Sequence, residues 1–496
     1  MCCGVGLLLA TDAAARPTSL QGPWSYDERD VVLAWDDPSG VVRVHYSVSG
    51  PNATVLTDLD GSGIPDFVET VGAVAVESWQ LFEELGFRAP LPESALDLPP
   101  LGGNDAFDVY LVDFAGAGDG LFARDACRSA PRHCAGHVVM ENDFAGYGYA
   151  SLDVAIETVV SHELFHAVQA AYDGFQAIWL AEGTAVWAQR AFDPSSADFR
   201  RFCNAYLADH RRTLTKPPPG PVPPFAYGTA LWWDFWWHRY GEGILVELML
   251  ASESPDGEAV DMAASMVEVL ETHEPIDTVW LDFVAANLAT GARAGALDGH
   301  PHAADLTGIS PRASGTEILD TERFFPLAAT YYRLSHQGGP LWIGTSDGDD
   351  RLFFTLHPTA RDNRVLPALE TFEVTTGSLH AFSSGESLPA GTYWLSGSLA
   401  RLAGSAAHLD LCVGSEELAR MCAPDEDEDE AGDETSSTSG GETSTTGGAE
   451  LDGDSSTTPA PAADEVGCGC STAPARHDLG WLLVLLLRWR RRSGLR

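Results

Sequence analysis

Ser161-His162-Glu163-Leu164-Phe165-His166 decides how the rest of the chain is read, together with Trp179-Leu180-Ala181-Glu182-Gly183-Thr184-Ala185 a little further on. Residues four apart on a helix lie one above the other, so imidazoles at 162 and 166 can grip one metal ion while Glu163 points beside them at its open position. The flanks favour a helix. Val154, Ala155, Val159, Val160, Leu164, Ala167, Val168 and Ala170 supply apolar contacts, and no Gly or Pro occurs from Ser151 to Tyr172. Asp173-Gly174 then reads as a helix stop.

A catalytic zinc ion takes three protein ligands and keeps one position for water. The continuation HExxHxxGxxH is absent, because Gln169 and Tyr172 stand where its Gly and His belong. Glu182 is the better third ligand: a second helix starting near Ile178 can return antiparallel and carry it back toward the histidines. The bland alternative is a buried helix with two satisfied histidines and an exposed Glu182. Uncharged flanks, the helix stop and the Glu-bearing second helix together favour the metal.

On these residues the chain resembles the gluzincin clan of zinc peptidases, whose third ligand is a Glu on a following helix, often in a Trp-Leu-x-Glu-Gly run. Residues 162–169 with 179–187 look more closely like a metalloprotease family of myxobacteria and their relatives. The resemblance implies an α+β peptidase domain in which Glu163 is the general base. It also implies a downstream Tyr or His that donates to the developing oxyanion. Tyr227, in Phe225-Ala226-Tyr227-Gly228 after the Pro-rich loop 216–224, is the first choice and His238 the second. A further implication is an edge strand just before the zinc helix that holds substrate extended, a place that residues 138–142 occupy, with an ordinary sheet strand as the alternative. Val186 stands one turn after Glu182, so no acidic residue there can orient a zinc-bound His.

Upstream, Asp58-Leu59-Asp60-Gly61-Ser62-Gly63-Ile64-Pro65-Asp66-Phe67-Val68-Glu69 reads as an EF-hand-like calcium loop. Asp58, Asp60, Ser62, the Ile64 carbonyl, Asp66 and Glu69 take the ligand positions, and Gly63 sits where the chain must turn sharply. Hard oxygen donors at these spacings select calcium, in a structural role. The alternative is an Asp/Gly-rich turn that caps the next helix.

At 496 residues the chain exceeds one ordinary core, and 45% hydrophobic residues suffice for folded domains. A formal charge of −43 argues against nucleic acid as a partner, since phosphate binding needs a basic surface. Cys127/Cys134 and Cys412/Cys422 are short-range pairs that could close disulfide loops in an oxidising compartment, with free thiols as the alternative; Cys203 has no obvious partner.

The expected fold class is α+β: a gluzincin-like peptidase domain, a β-sandwich and a disordered acidic stalk. Residues 1–15 read as a partial signal peptide, with Ala13-Ala14-Ala15 suited to signal-peptidase cleavage. Strands and the calcium loop fill 16–75, and the peptidase domain runs over 76–312. Helices are expected at 67–85, 151–172, 197–212, 227–240, 244–251, 259–272 and 276–288, and strands at 107–112 and 137–140. Short punctuated runs over 313–422 suggest the sandwich. Residues 423–466 form an acidic, Ser/Thr/Gly-rich linker. In 467–496, Cys468 and Cys470, an apolar run and an arginine cluster look like a myxobacterial C-terminal sorting signal, although the apolar run is too short to span a bilayer.

The expectation is a zinc-dependent peptidase, with zinc at its centre and structural calcium, exported and displayed on the cell surface. Its partners would be a peptide or protein substrate and the cell envelope. The rival is a surface-binding or adhesin protein on a degenerate peptidase scaffold. The intact Glu163 argues against the rival, because a merely structural metal does not need that carboxylate.

Overall fold

The computed structural model describes residues 16–19, 24–219, 222–297 and 299–424. The signal segment 1–15, almost all of the acidic linker and the sorting residues Cys468 and Cys470 lie outside these. Two units, divided after Gly174, are described in turn. The architecture is α+β, and among the described residues no helix is long and apolar enough to cross a membrane.

The first unit is built on a five-stranded sheet in the order β1-β2-β3-β5-β4. Its strands are β1 (Val32–Asp36), β2 (Val42–Ser47), β3 (Phe107–Val112), β4 (Gly120–Cys127) and β5 (Cys134–Glu141). β2, β3 and β5 run parallel, and β4 pairs antiparallel with β5. β3 and β5 are buried along their whole length, as interior strands covered on both faces should be. Two 19-residue helices pack on the sheet and on each other: α1 (Asp66–Glu84) and α2 (Leu152–Ala170). Ser151 caps α2, its side chain accepting the Val154 N–H at 3.2 Å. The edge of Phe165 on α2 meets Phe82 and Phe87, with ring centres 5.1 and 5.2 Å apart. α2 is buried nearly all round, so it is a core helix rather than an amphipathic surface one.

The expectation of an edge strand at 138–142 is corrected. β5 lies between β3 and β4, and β4 is the edge. β4 carries Arg124 and Asp125 within it, which interrupt the apolar alternation that marks a strand in sequence.

The second unit opens with helices α3 (Ile178–Phe192), α4 (Ala197–Ala208), α5 (Pro224–Gly228), α6 (Ala230–Tyr240), α7 (Ile244–Ala251), α8 (Met262–Glu271) and α9 (Ile276–Leu288). The single helix expected over 227–240 is two, joined at Thr229. Trp187, Trp232, Trp233, Trp236 and Trp280 are fully buried, so the tryptophans are core.

Nine strands follow: β6 (Ala313–Gly315), β7 (Ile318–Phe324), β8 (Ala329–His336), β9 (Trp342–Thr345), β10 (Leu352–Pro358), β11 (Glu370–Glu373), β12 (Ser378–Ala381), β13 (Gly391–Leu399) and β14 (Ala407–Gly414), among the described residues. They form two sheets, in the orders β11-β10-β13-β8-β6 and β12-β9-β14-β7. They face each other across Tyr332, Leu334, Leu352, Phe354, Leu395 and Leu411, as a sandwich requires. The sandwich is joined to the helices by Leu214 N–H to Leu327 O and Ala329 N–H to His210 O, both 3.0 Å, and by Tyr331 OH to Val284 O at 2.9 Å. Disulfides join Cys127 to Cys134 and Cys412 to Cys422, and Cys203 is a buried free thiol.

Candidate metal centre

The helix α2 places His162 and His166 one turn apart, with their Nε2 atoms 3.1 Å from each other and their rings nearly perpendicular. Two nitrogens bound at the usual zinc distance on a tetrahedral ion lie about 3.3 Å apart, close to this spacing. His166 Nδ1 is 2.7 Å from Gln169 Oε1. An amide oxygen only accepts, so Nδ1 carries the proton and the Nε2 lone pair is left for a ligand role. Gln169, noted in the sequence only for the Gly it replaces, therefore sets the tautomer.

Glu163 is wholly buried, and its Oε2 accepts the Phe122 N–H of β4 at 2.8 Å. The close approach of strand and helix is made possible by Gly120. A Cβ there would lie 2.6 Å from Val159 Cγ1 and 2.8 Å from Glu163 Cγ. Phe122 and Gly120 are thus site residues that sequence reasoning missed. The available signal was a glycine opening an eight-residue segment that ends at a cysteine.

In the second unit, the Trp179-to-Gly183 run has a local physical cause. Trp179 stacks on Trp233 with centres 5.4 Å apart, and Thr229 Oγ1 donates to the Trp179 carbonyl at 2.6 Å. A Cβ on Gly183 would fall 2.0 Å from Thr229 Oγ1 and 2.7 Å from Trp233 Nε1, so only glycine lets α3 pack so tightly. Glu182, between these anchors, is fully buried. One ligand atom from each of His162, His166 and Glu182 lies within 4.8 Å of the other two. Two imidazoles and one carboxylate are a donor set that fits zinc.

Tyr227 is buried and stacks on Phe202 at 4.6 Å. His238, the second choice for the same task, is engaged elsewhere. Its Nε2 lies 3.1 Å from Arg190 Nη2 and 3.5 Å from Asp234 Oδ1.

The calcium-type loop is closed by its own backbone. Asp58 accepts the N–H groups of Gly61 and Gly63 at 2.8 and 3.0 Å, and Asp60 accepts that of Ser62 at 2.9 Å. The Ser62 N–H holds the Asp60 carboxyl below its usual range. Asp66 accepts the Leu59 N–H at 3.1 Å, and Ser62 Oγ donates to the Ile64 carbonyl at 3.2 Å. Gly63 has φ +88°, the left-handed turn expected of it. Asp58, Asp60 and Asp66 bring oxygens within 4.8 Å of one another. Glu69, in the first turn of α1, is not part of that group.

Comparison with family models and with curated proteins gives no match.

Proposed function

We propose that the protein is a zinc-dependent peptidase. His162, His166 and Glu182 would hold the ion. When bound, zinc supplies Lewis acidity, acidifying water toward neutral pH and polarising a carbonyl. Glu163 accepts the proton from the attacking water at a carboxylate oxygen and delivers it to the leaving amine. The Phe122 N–H fixes the orientation of that carboxylate. Gln169 keeps the His166 Nε2 lone pair available. Tyr227 is assigned to steady the oxyanion.

The observation that carries the reading is the mutual approach of the His162, His166 and Glu182 ligand atoms, with a buried carboxylate at 163 oriented by a strand. Metal analysis of the purified protein beside digestion of a peptide library is the test. The expected result is about one zinc per chain and cleavage that chelation stops. A zinc-loaded protein that cleaves nothing in the library would favour the surface-binding alternative.

The same reading places the protein outside the cytoplasm, at the cell surface, with Cys468 or Cys470 as the retention point. The two disulfides support an oxidising compartment. In the loop 58–69, calcium is assigned a structural role.

A further inference from the structure

β4 gives the Phe122 N–H to Glu163 and, among the described residues, pairs as a strand only with β5. A strand laddered on one side can slip, and a slip of one residue reverses which way each group points. The Phe122 N–H would then leave the carboxylate. What pins the register lies three residues further on. Ala123 pairs with His137, Arg124 with Gly136, and then Ala126 with Ala135, so Asp125 is the extra residue of a bulge. The two strands approach closely there: a Cβ on Gly136 would lie 2.2 Å from the Ala123 carbonyl oxygen.

Side chains hold the bulge in place. Arg124 donates to the Gly174 carbonyl, beyond the end of α2, at 2.7 Å. Asp125 turns into the interior, where Arg16 Nε and Nη2 grip its two oxygens at 3.0 and 2.6 Å. His137 Nδ1, on β5, lies 3.1 Å from the same carboxylate. Arg16 is itself anchored away from β4. It reaches Tyr110 Oη at 3.0 Å and pairs with Asp108, both on β3, and with Glu93 in the short turn Glu93–Leu96. His45 Nε2, on β2, lies 2.7 Å from Asp108. The guanidinium thus ties the edge strand to the middle of the sheet by a path separate from the backbone ladder.

Burial works against the charge on Asp125, but hydrogen bonds from His137 and Arg16 outweigh it and hold that carboxyl below its usual range. Without Arg16 the buried carboxylate would keep one imidazole partner. An underpaired buried charge is costly, and turning it out to water relieves the cost. At an edge strand that movement is available, and it undoes the bulge. We propose that Arg16 and Asp125 are positioning residues for Glu163: their pairing fixes the bulged register of β4 and so keeps the Phe122 N–H on the Glu163 carboxylate. The consequence for catalysis rests on the zinc-peptidase reading, whereas the consequence for the strand does not.

Amide hydrogen exchange on the whole chain carrying Arg16→Gln is the first test, because it needs no activity. The Phe122 amide should exchange about tenfold or more faster than in the wild type, while amides in the middle of α1 keep their rate. Unchanged exchange at Phe122, or equal acceleration in α1, overturns the inference. Where the glutamine variant does not fold, Arg16→Lys takes its place. It keeps the cation but not the two-pronged grip, and about threefold faster exchange is expected at Phe122 alone. Turnover is the second test. In Arg16→Gln, kcat should fall by about tenfold with KM and zinc content unchanged, as displacement at a proton-accepting group predicts. Adding Asp125→Asn removes the underpaired charge and should recover part of that loss. Faster exchange at Phe122 with wild-type kcat overturns the catalytic role. A wild-type protein that cleaves no peptide removes the peptidase reading and that role with it, and the exchange result alone then decides whether the pair positions the strand.

Discussion

Among the described residues, two places gather three ligand-type side chains within 4.8 Å, and they differ in almost everything else. His162, His166 and Glu182 are buried, on long helices whose packing sets their positions. Asp58 and Asp60 are exposed, in a loop whose own N–H groups already engage the carboxylates. Burial makes charge expensive and interactions strong, whereas exposure leaves both screened by water. The first arrangement can therefore support chemistry. The second can at most add modest stability when a cation binds.

The sharpest way to break that contrast is at the two glutamates of the buried site. Glu163→Gln should lower peptide hydrolysis by roughly 10²–10⁴-fold, because an amide cannot take the proton, while zinc content stays at the wild-type level. Glu182→Gln should instead lower zinc affinity, since a neutral oxygen replaces a charged ligand. Zinc content and cleavage rate measured on the same preparations separate the two. Full activity in Glu163→Gln would remove the peptidase mechanism.

Burial should also show in the acid response of His300, whose Nε2 is 2.8 Å from Asn287 Oδ1 and whose pKa burial lowers to about 4. A histidine held neutral in the fold contributes stability that is complete above its ordinary value near 6.5. That contribution is lost as pH falls to about 4. The loss should approach ~3 kcal/mol, read as the fall in denaturant-unfolding free energy between pH 7 and 4. His300→Gln should flatten part of that slope, and an unchanged slope would take the histidine out of the account.

A subtler intrusion on the buried site is Gly120→Ala. The added carbon falls against Val159 Cγ1 and Glu163 Cγ, so something there must shift, and a shift of Glu163 draws its carboxylate away from the Phe122 N–H. Turnover should drop by roughly tenfold or more with zinc retained, as misplacement at a reacting group predicts. Wild-type kcat would show that the strand does not hold Glu163 in its working position.

The smallest effect belongs to the exposed loop. Calcium should raise the melting temperature of the wild-type protein by about 1–3 °C, leave Asp58→Ala unmoved, and change zinc content in neither. Identical calcium responses in the two proteins would reduce the loop to a turn that caps α1.

Local pattern made much of this legible in the sequence. The helix carrying His162 and His166, its Ser151 start and its end near Asp173-Gly174 follow from apolar spacing and capping. Residues 244–251 and 276–288 were bounded as the structure has them, because helix signals lie within one or two turns. The glycines in the calcium-type loop and the punctuated strands of the sandwich are equally local. What the tertiary structure alone decided are relations between residues far apart in the chain. β4 is not legible from its own residues, because Arg124 and Asp125 break the apolar alternation. Asp125 is tolerated there because Arg16, 109 residues away, accompanies it into the interior. Which strand forms the sheet edge is a matter of topology, which local periodicity does not encode, and it moved that role from β5 to β4. The bond from the Phe122 backbone to Glu163 likewise exists only once strand and helix are packed, because an N–H is present in every residue but proline and the sequence does not say where it points.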